Sequence, residues 1–289
     1  MIEQHSTKGE LAATPIEAQN LLSGPAVPPS KQQPEPLLRQ FMGWYGIIGF
    51  LIIWQLAPML GLCDPLFIPP PTTIGADALS LVSRGDLFIH AATSAQRALL
   101  GLVAALAVAI PLAIFLSGWL PRFTRFINPL LSLLASINPF ALFPLFILLF
   151  GVGELAKFAI IFWSSLFPVL TATINGVGGV NPLLVKTAKS MGASRATIFR
   201  KVVIPASLPS LLVGLRMGAT TAFLFLIAAE MLAANAGLGW LVHNSAMNNY
   251  IPRIYVGVVT IALMGLLLSF LIDRLEAVVL GYKEEVKTN

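Results

Sequence analysis

Charge is what this sequence has least of. Asp, Glu, Lys and Arg make up 11% of its 289 residues, where a soluble domain carries about 25%. Hydrophobic residues make up 56%. So little charge cannot cover a water-facing surface, so a soluble globular fold is excluded and an all-α polytopic membrane protein is expected. The single cysteine, Cys63, excludes an internal disulfide. The three histidines, His5, His90 and His243, lie far apart, and no ligand spacing assigns a metal site. No Gly-Lys dipeptide occurs, so there is no G-x-x-x-x-G-K-S/T phosphate loop and no ATP hydrolysis by that route. Paired carboxylates, a Cys/His couple and a G-x-S-x-G turn are missing too. No catalytic residue is assigned, and the chain is not expected to be an enzyme. Its net charge of +5 points to no nucleic acid, because the basic residues cluster at the ends of apolar runs.

What is present in abundance is apolar sequence. A membrane helix needs about 20 apolar residues. Six transmembrane helices are expected, at 42–60, 98–120, 126–150, 158–177, 208–231 and 254–272, with no strand alternation competing. Trp44, Tyr45 and Trp54 read as interfacial anchors of the first. Pro129, Pro139 and Pro144 interrupt the third, as kinks. Residues 1–40, rich in Pro, Gln, Ser and Ala, lack the apolar core of a signal peptide and read as a disordered cytoplasmic tail. Residues 41–280 form the membrane domain, and 281–289 a second cytoplasmic tail. Placing both termini inside puts thirteen Lys and Arg on the cytoplasmic side, leaving Arg84, Arg97, Lys157 and Arg253 outside. Two outer segments are long enough for structure of their own. In 63–90 a Pro69-Pro70-Pro71 run precedes a short surface helix from Thr73 to Val82, ended near Gly85. In 233–250 lies a Gly237-Leu238-Gly239-Trp240 turn. Either could meet an external protein or simply plug the mouth.

The polar stretch from Asn181 to Pro209 stands apart. Lys186, Lys189, Arg195, Arg200 and Lys201 fall in it with no acid among them. Asn181 can cap a helix whose first residue is Pro182. Gly192 then ends that helix in a left-handed conformation. Ser194 caps a second helix through Val203, which Pro205 and Pro209 are expected to stop. Leu184, Ala188 and Met191 give the first helix a small apolar ridge beside its basic face. The result is a helical elbow between spans, shaped to be gripped from outside the membrane.

These residues resemble the cytoplasmic loop of permease subunits of bacterial importers of the ATP-binding-cassette type, written E-A-A-x3-G-x9-I-x-L-P. Here it reads Lys186, Thr187, Ala188, three residues, Gly192, nine residues, Val202, one residue, Ile204 and Pro205. Gly and Pro keep the spacing; the leading Glu and first Ala are replaced, so polar contacts to a partner must differ. The runs INPFALFPLFILLFGVGE at 137–154 and AAEM at 228–231 look like the branch importing nitrate, taurine, sulfonates and similar small solutes. The resemblance implies a type I importer permease with a coupling-helix loop at 181–206. It assigns ATPase coupling to Leu184, Lys186, Ala188, Lys189, Met191, Gly192, Ala193, Ser194 and Pro205. It implies a second copy of the permease, two ATPase subunits carrying the ATP and Mg, and a periplasmic solute-binding protein, in a bacterial inner membrane. No cofactor is assigned to this chain. Nitrate, bicarbonate, taurine, sulfonates and vitamin precursors all remain open as solutes.

Polar side chains within spans are the candidates for a translocation path. Ser136 and Asn138 follow one another on the third span, Ser164 and Thr171 share a face of the fourth, and Thr220 lies between Arg216 and Glu230 on the fifth. Each of the hydroxyls and amides could equally serve helix–helix hydrogen bonding. Arg216 reads either as tolerance for an anion or as a side chain reaching the inner headgroups. Glu230 reads either as part of an outer gate or as a cap on neighbouring backbone. Arg216 lies within Gly214-Leu-Arg-Met-Gly218, a small-x-x-x-small pattern that lets another helix come close. The alternative function is an ion-coupled carrier acting without an ATPase, which would need carboxylates at mid-membrane.

Overall fold

A computed structural model describes residues 37–281, with side chains from Tyr45 onward. Most of the expected N-terminal tail, and residues 282–289 of the C-terminal one, lie outside the described residues. Contacts divide the chain into two compact units, 1–53 and 54–289. The described part of the first is the leading stretch of α1 (Leu37–Met59). The second unit holds the rest: α2 (Pro71–Ser83), α3 (Asp86–Trp119), α4 (Pro121–Ser136), α5 (Pro139–Phe150), α6 (Glu154–Gly178), α7 (Pro182–Ser190), α8 (Arg195–Ile198), α9 (Ile204–Ala233), α10 (Leu238–Met247) and α11 (Ile251–Leu280). Among the described residues there is no strand. Prolines start many of these helices: α2, α4, α5, α7 and α11 each carry one at the first or second position, where the missing N–H breaks no bond.

Four helices, α3, α6, the run from α8 through α9, and α11, are long and apolar enough to cross a membrane. The expected third span is not one helix. It breaks at Ile137 and Asn138 into α4 and α5, bent by 85°. Asn138 turns extended and its side chain accepts from the Phe140 N–H, so it caps a new helix begun by Pro139. A proline at that point removes a helical N–H, and the asparagine rewards the break. The first expected span, 42–60, falls on α1, whose described apolar stretch is Tyr45–Met59. The six expected spans thus fall on α1, four long helices and one bent pair.

The centre of the second unit is α6. Half of its most apolar window is buried, against 33% for α3 and α9 and 11% for α11. In lipid the drive to pack comes from close contact rather than from water, so small residues set the approach. A Cβ on Gly214 would stand 2.8 Å from Ala172, one on Gly218 2.7 Å from Val169, and one on Gly176 2.6 Å from Ser210. The Gly214–Gly218 pattern therefore does what its spacing predicts, seating α9 on α6. Gly101 does the same for α3 against Ile161. Leu102, Phe143, Ile160, Ile161 and Leu226 fill one core cluster, and Leu116, Phe167, Leu170 and Ile174 another.

The short surface helix read between Thr73 and Val82 is α2, with Gly85 left-handed after it. It is tied to α11: Asp77, buried, accepts from the Tyr250 hydroxyl at 3.1 Å and pairs with Arg253 at 3.2 Å. The guanidinium of Arg253 also stacks over the Tyr250 ring.

Candidate functional site: an exposed elbow and a buried charge cluster

The elbow forms as its local chemistry dictates. The Asn181 side chain accepts from the Leu183 N–H at 2.9 Å and caps α7. Gly192 adopts φ +79° and closes it, with the Ala193 N–H reaching back to Ala188 O. Ser194 caps α8 through the Thr197 N–H. One expectation fails here. The second helix does not stop at Pro205: it passes through a π-helical turn, Phe199–Val203, and continues as α9, so Pro205 and Pro209 lie inside one continuous run of helical backbone. A wider π turn gives the proline ring room against the preceding turn, so the helix bulges instead of breaking.

No residue of α7 is buried. Leu183 and Leu184 are exposed, and Met191 is 83% exposed. Lys186 and Lys189 flank them on the same short helix, while Ala188 and Ala193 are half-buried. The elbow is fixed to the body at one contact above all. The Phe199 ring fills the place where Gly118 of α3 would carry a Cβ, 2.6 Å away. The elbow is thus joined to α3 through Phe199, to α6 through residues 179–181 and to α9 through the π turn.

At the end of α3, α6 and α9 away from the elbow lies a charge cluster. Glu230 of α9 is 0% exposed. Its carboxylate pairs with Arg97 of α3 at 2.9 Å and accepts from the Gly239 N–H at 3.0 Å. The Ser94 hydroxyl stands 2.8 Å from both carboxylate oxygens and accepts from the Leu238 N–H. Arg97 reaches further, donating to Ala236 O and, bidentate at 2.7 Å, to Glu154 of α6. Lys157, itself buried, joins Glu154 at 2.5 Å. His90 Nδ1 accepts from the Gly237 N–H, and its ring lies against Trp240. A Cβ on Gly237 would fall 2.3 Å from Glu230 Oε1, so the turn read at Gly237–Trp240 is a clasp around that carboxylate. Two cations and two carboxylates are thus mutually satisfied, which is the condition for burying charge at all. The cluster ties α3, α6, α9 and α10 together and leaves no group free for acid–base chemistry.

The path candidates do not converge. Ser136 donates to Ser132 O and Asn138 caps α5; both are exposed at the break. Ser164 donates to Ile161 O within α6, Thr171 to Phe167 O, and the exposed Thr220 to Arg216 O. Glu230 does cap neighbouring backbone, through Gly239, as one of its two readings held. Arg216, exposed, makes contacts that neither of its readings named. It projects to α11 and pairs with Asp273 at 2.5 Å and Glu276 at 2.6 Å. Sequence reading missed Ser94 and Arg97 as partners of Glu230, and Glu154 and Lys157 as the pair that Arg97 joins to it. Arg97 just before an apolar run was the available signal, but its partner lies 133 residues on. Among the described residues no group of His, Cys, Asp and Glu could hold a metal ion.

Long apolar helices around a glycine-seated core, with one exposed basic elbow between two of them, define a multi-pass all-α membrane protein of transport type. Residues 75–280 match the family described as binding-protein-dependent transport system inner membrane component, and the chain belongs to that family. It is similar to a probable ABC transporter permease protein of Brucella melitensis, 35% identical over 76% of this chain and 88% of that protein. It is 31% identical to the taurine transport system permease protein TauC of Escherichia coli, over 87% of this chain and 94% of that protein. It is 30% identical to a putative aliphatic sulfonates transport permease protein, SsuC, of Bacillus subtilis, over 81% and 84%. Its fold is that of a chain in the inward-facing MetNI methionine ABC transporter, with a TM-score of 0.58 and 18% identity over 67% of this chain and 96% of that one.

Proposed function

We propose that this permease forms the solute path of an ATP-driven importer and takes a small sulfonate-type solute. The observation that carries the coupling is the elbow, in which α7 has no buried residue and Leu183, Leu184 and the following Met191 turn outward, while Phe199 of the π turn grips the body. An apolar ridge rimmed by Lys186 and Lys189 fits a groove on another protein better than it fits water. An ATPase subunit, holding ATP and Mg, seats there on each of two permease copies. A periplasmic binding protein delivers solute at the opposite side, and both termini face the cytoplasm. Closure of the ATPases moves the elbows and rocks α3, α6 and α9 between inward-open and outward-open arrangements. This chain performs no chemistry of its own.

The solute class is supported by the taurine and sulfonate names of the relatives, not by Arg216, whose charge two carboxylates offset. Ser136, Asn138 and Thr220, exposed at their positions, stay in the proposed path, as do Ser164 and Thr171, whose hydroxyls, like those of Ser136 and Thr220, donate to carbonyls of their own helix. An ion-coupled carrier finds little support. The two buried carboxylates among the described residues, Asp77 and Glu230, are each held by an arginine.

The test is co-purification and uptake. The chain expressed with its ATPase should pull it down and import taurine in an ATP-dependent way. Met191→Asp should abolish both while the permease still inserts. Uptake that persists without any ATPase overturns the reading.

A further inference from the structure

At the elbow end of the body, a cleft of about 430 Å³ opens between α3, α4 and α6. Its walls carry Ser117, Thr124, Arg125, Asn128, Asn175 and Gly178. Ser117 Oγ is buried with no hydrogen-bond partner. Thr124 spends its hydroxyl proton on Leu116 O or Leu120 O. Among the described residues no ion pair involves Arg125 and no side-chain hydrogen bond involves Asn128 or Asn175, so with Ser117 four donor-bearing side chains line one cleft unspent there. No acidic residue lines it. Arg125, Asn128 and Asn175 are exposed at the mouth of the cleft, and Ser117 Oγ is the buried group whose hydrogen bonding a bound acceptor would complete. Several donors, one of them a guanidinium, with no fixed negative charge match a group with several acceptor oxygens and negative charge.

We propose that this cleft is a binding site for a tetrahedral oxyanion, the sulfonate of a transported solute or the phosphate of a lipid headgroup. For the solute, the proposal rests on the permease reading above and makes the cleft its last station before release. The geometry supplies a release device. Ser117 adjoins Gly118, on which the Phe199 ring sits, and Asn175 and Gly178 occupy the last turn of α6 before Asn181 opens the elbow. Both walls are therefore fastened to the part that an ATPase would move. A shift of the elbow separates Ser117 from Asn175 and lets the anion go.

The full chain, purified in detergent, is titrated calorimetrically with ethanesulfonate. It is also placed in nanodiscs with and without phosphatidylglycerol, and retained lipid is weighed by native mass spectrometry. Arg125→Gln and Asn128→Ala, both at exposed positions, should weaken binding about tenfold, the loss of one charge-assisted or amide contact. Arg122→Gln, outside the cleft, should leave it unchanged. Arg125-dependent ethanesulfonate binding identifies the solute as the source. Arg125-dependent retention of phosphatidylglycerol alone identifies the lipid. Binding of neither, or binding indifferent to Arg125 and Asn128, overturns the proposal. ATPase pull-down by the same samples keeps the two readings apart. A chain that holds its ATPase but binds no oxyanion loses the cleft and keeps the permease role, and the converse loses only the role.

Discussion

Glu230 takes hydrogen bonds from Ser94, Arg97 and the Gly239 N–H with no water in reach, so its replacement is felt by each of them. Glu230→Gln turns an amide NH2 toward donors and leaves Arg97 with one carboxylate instead of two. Breaking a buried pair from one side costs about 3–5 kcal/mol, and the variant should melt well below the parent in detergent. Arg97→Met should cost less in the Glu230→Gln background than alone, because the Arg97–Glu230 contact is already gone there while the Glu154 contact is lost in both. An additive double variant would mean that the two groups do not act as a pair. Gly237→Ala should be as damaging through a different cause. Its φ of +124° disfavours any side chain, and the new Cβ would stand 2.3 Å from Glu230 Oε1, a strain of about 2 kcal/mol or more. Wild-type thermal stability in that variant would deny the clasp. At this scale the sequence was readable where a residue's partner is near in the chain. Asn181, Gly192 and Ser194 act within a few residues of themselves, and their roles followed from type and spacing. Glu230 and Arg216 were singled out as intramembrane charges, but the groups that neutralise them lie far away in sequence, on other helices. Nothing in a single span's pattern says which cation faces which carboxylate.

Elements behave differently, because a helix carries its own periodicity. The α6–α9 contact was legible from Gly214 and Gly218, since small residues four apart leave one smooth strip on a helix. The break at Asn138 was half legible. Pro139 announced a disturbance, yet a kinked span and two helices at 85° differ only in whether the residue before the proline turns extended, and Asn138 does. The π turn at Phe199–Val203 was not legible. Two prolines ahead of an apolar run read as a stop, and the structure accommodates them by widening a turn. The elbow's prediction belongs here. Gly192 sits at φ +79° with open space around it, so a side chain meets backbone strain and no clash. Gly192→Val should therefore cost only about 1–2 kcal/mol, visible as a small drop in melting temperature. Its effect on uptake should be much larger than on stability, since the angle between α7 and α8 sets how the ridge meets its partner. Equal and proportionate losses of folded protein and of uptake would reduce Gly192 to a structural residue.

For the whole molecule, orientation decides the meaning of both ends, and charge gives the argument. The elbow end gathers Arg122, Arg125, Lys186, Lys189, Arg195, Arg200 and Lys201, whereas the far end holds Arg97 and Lys157, both already paired with carboxylates inside the fold. Lys and Arg next to apolar helices are retained on the cytoplasmic face. Of the four cations that the sequence count leaves outside, Arg97, Lys157 and Arg253 pair with carboxylates, while Arg84 does not among the described residues, so the orientation rests on the count itself. The elbow should therefore face the cytoplasm and α2 the outer compartment. A background of Cys63→Ser removes the only native thiol. In it, Ser190→Cys on the exposed elbow and Ser83→Cys at the exposed end of α2 each add one accessible probe. Intact cells treated with a membrane-impermeant maleimide should label Ser83→Cys and spare Ser190→Cys, and permeabilised cells should label both. Labelling of Ser190→Cys from outside would place the ridge of Leu183, Leu184 and Met191 where no cytoplasmic ATPase can reach it, and the coupling role would fall with it.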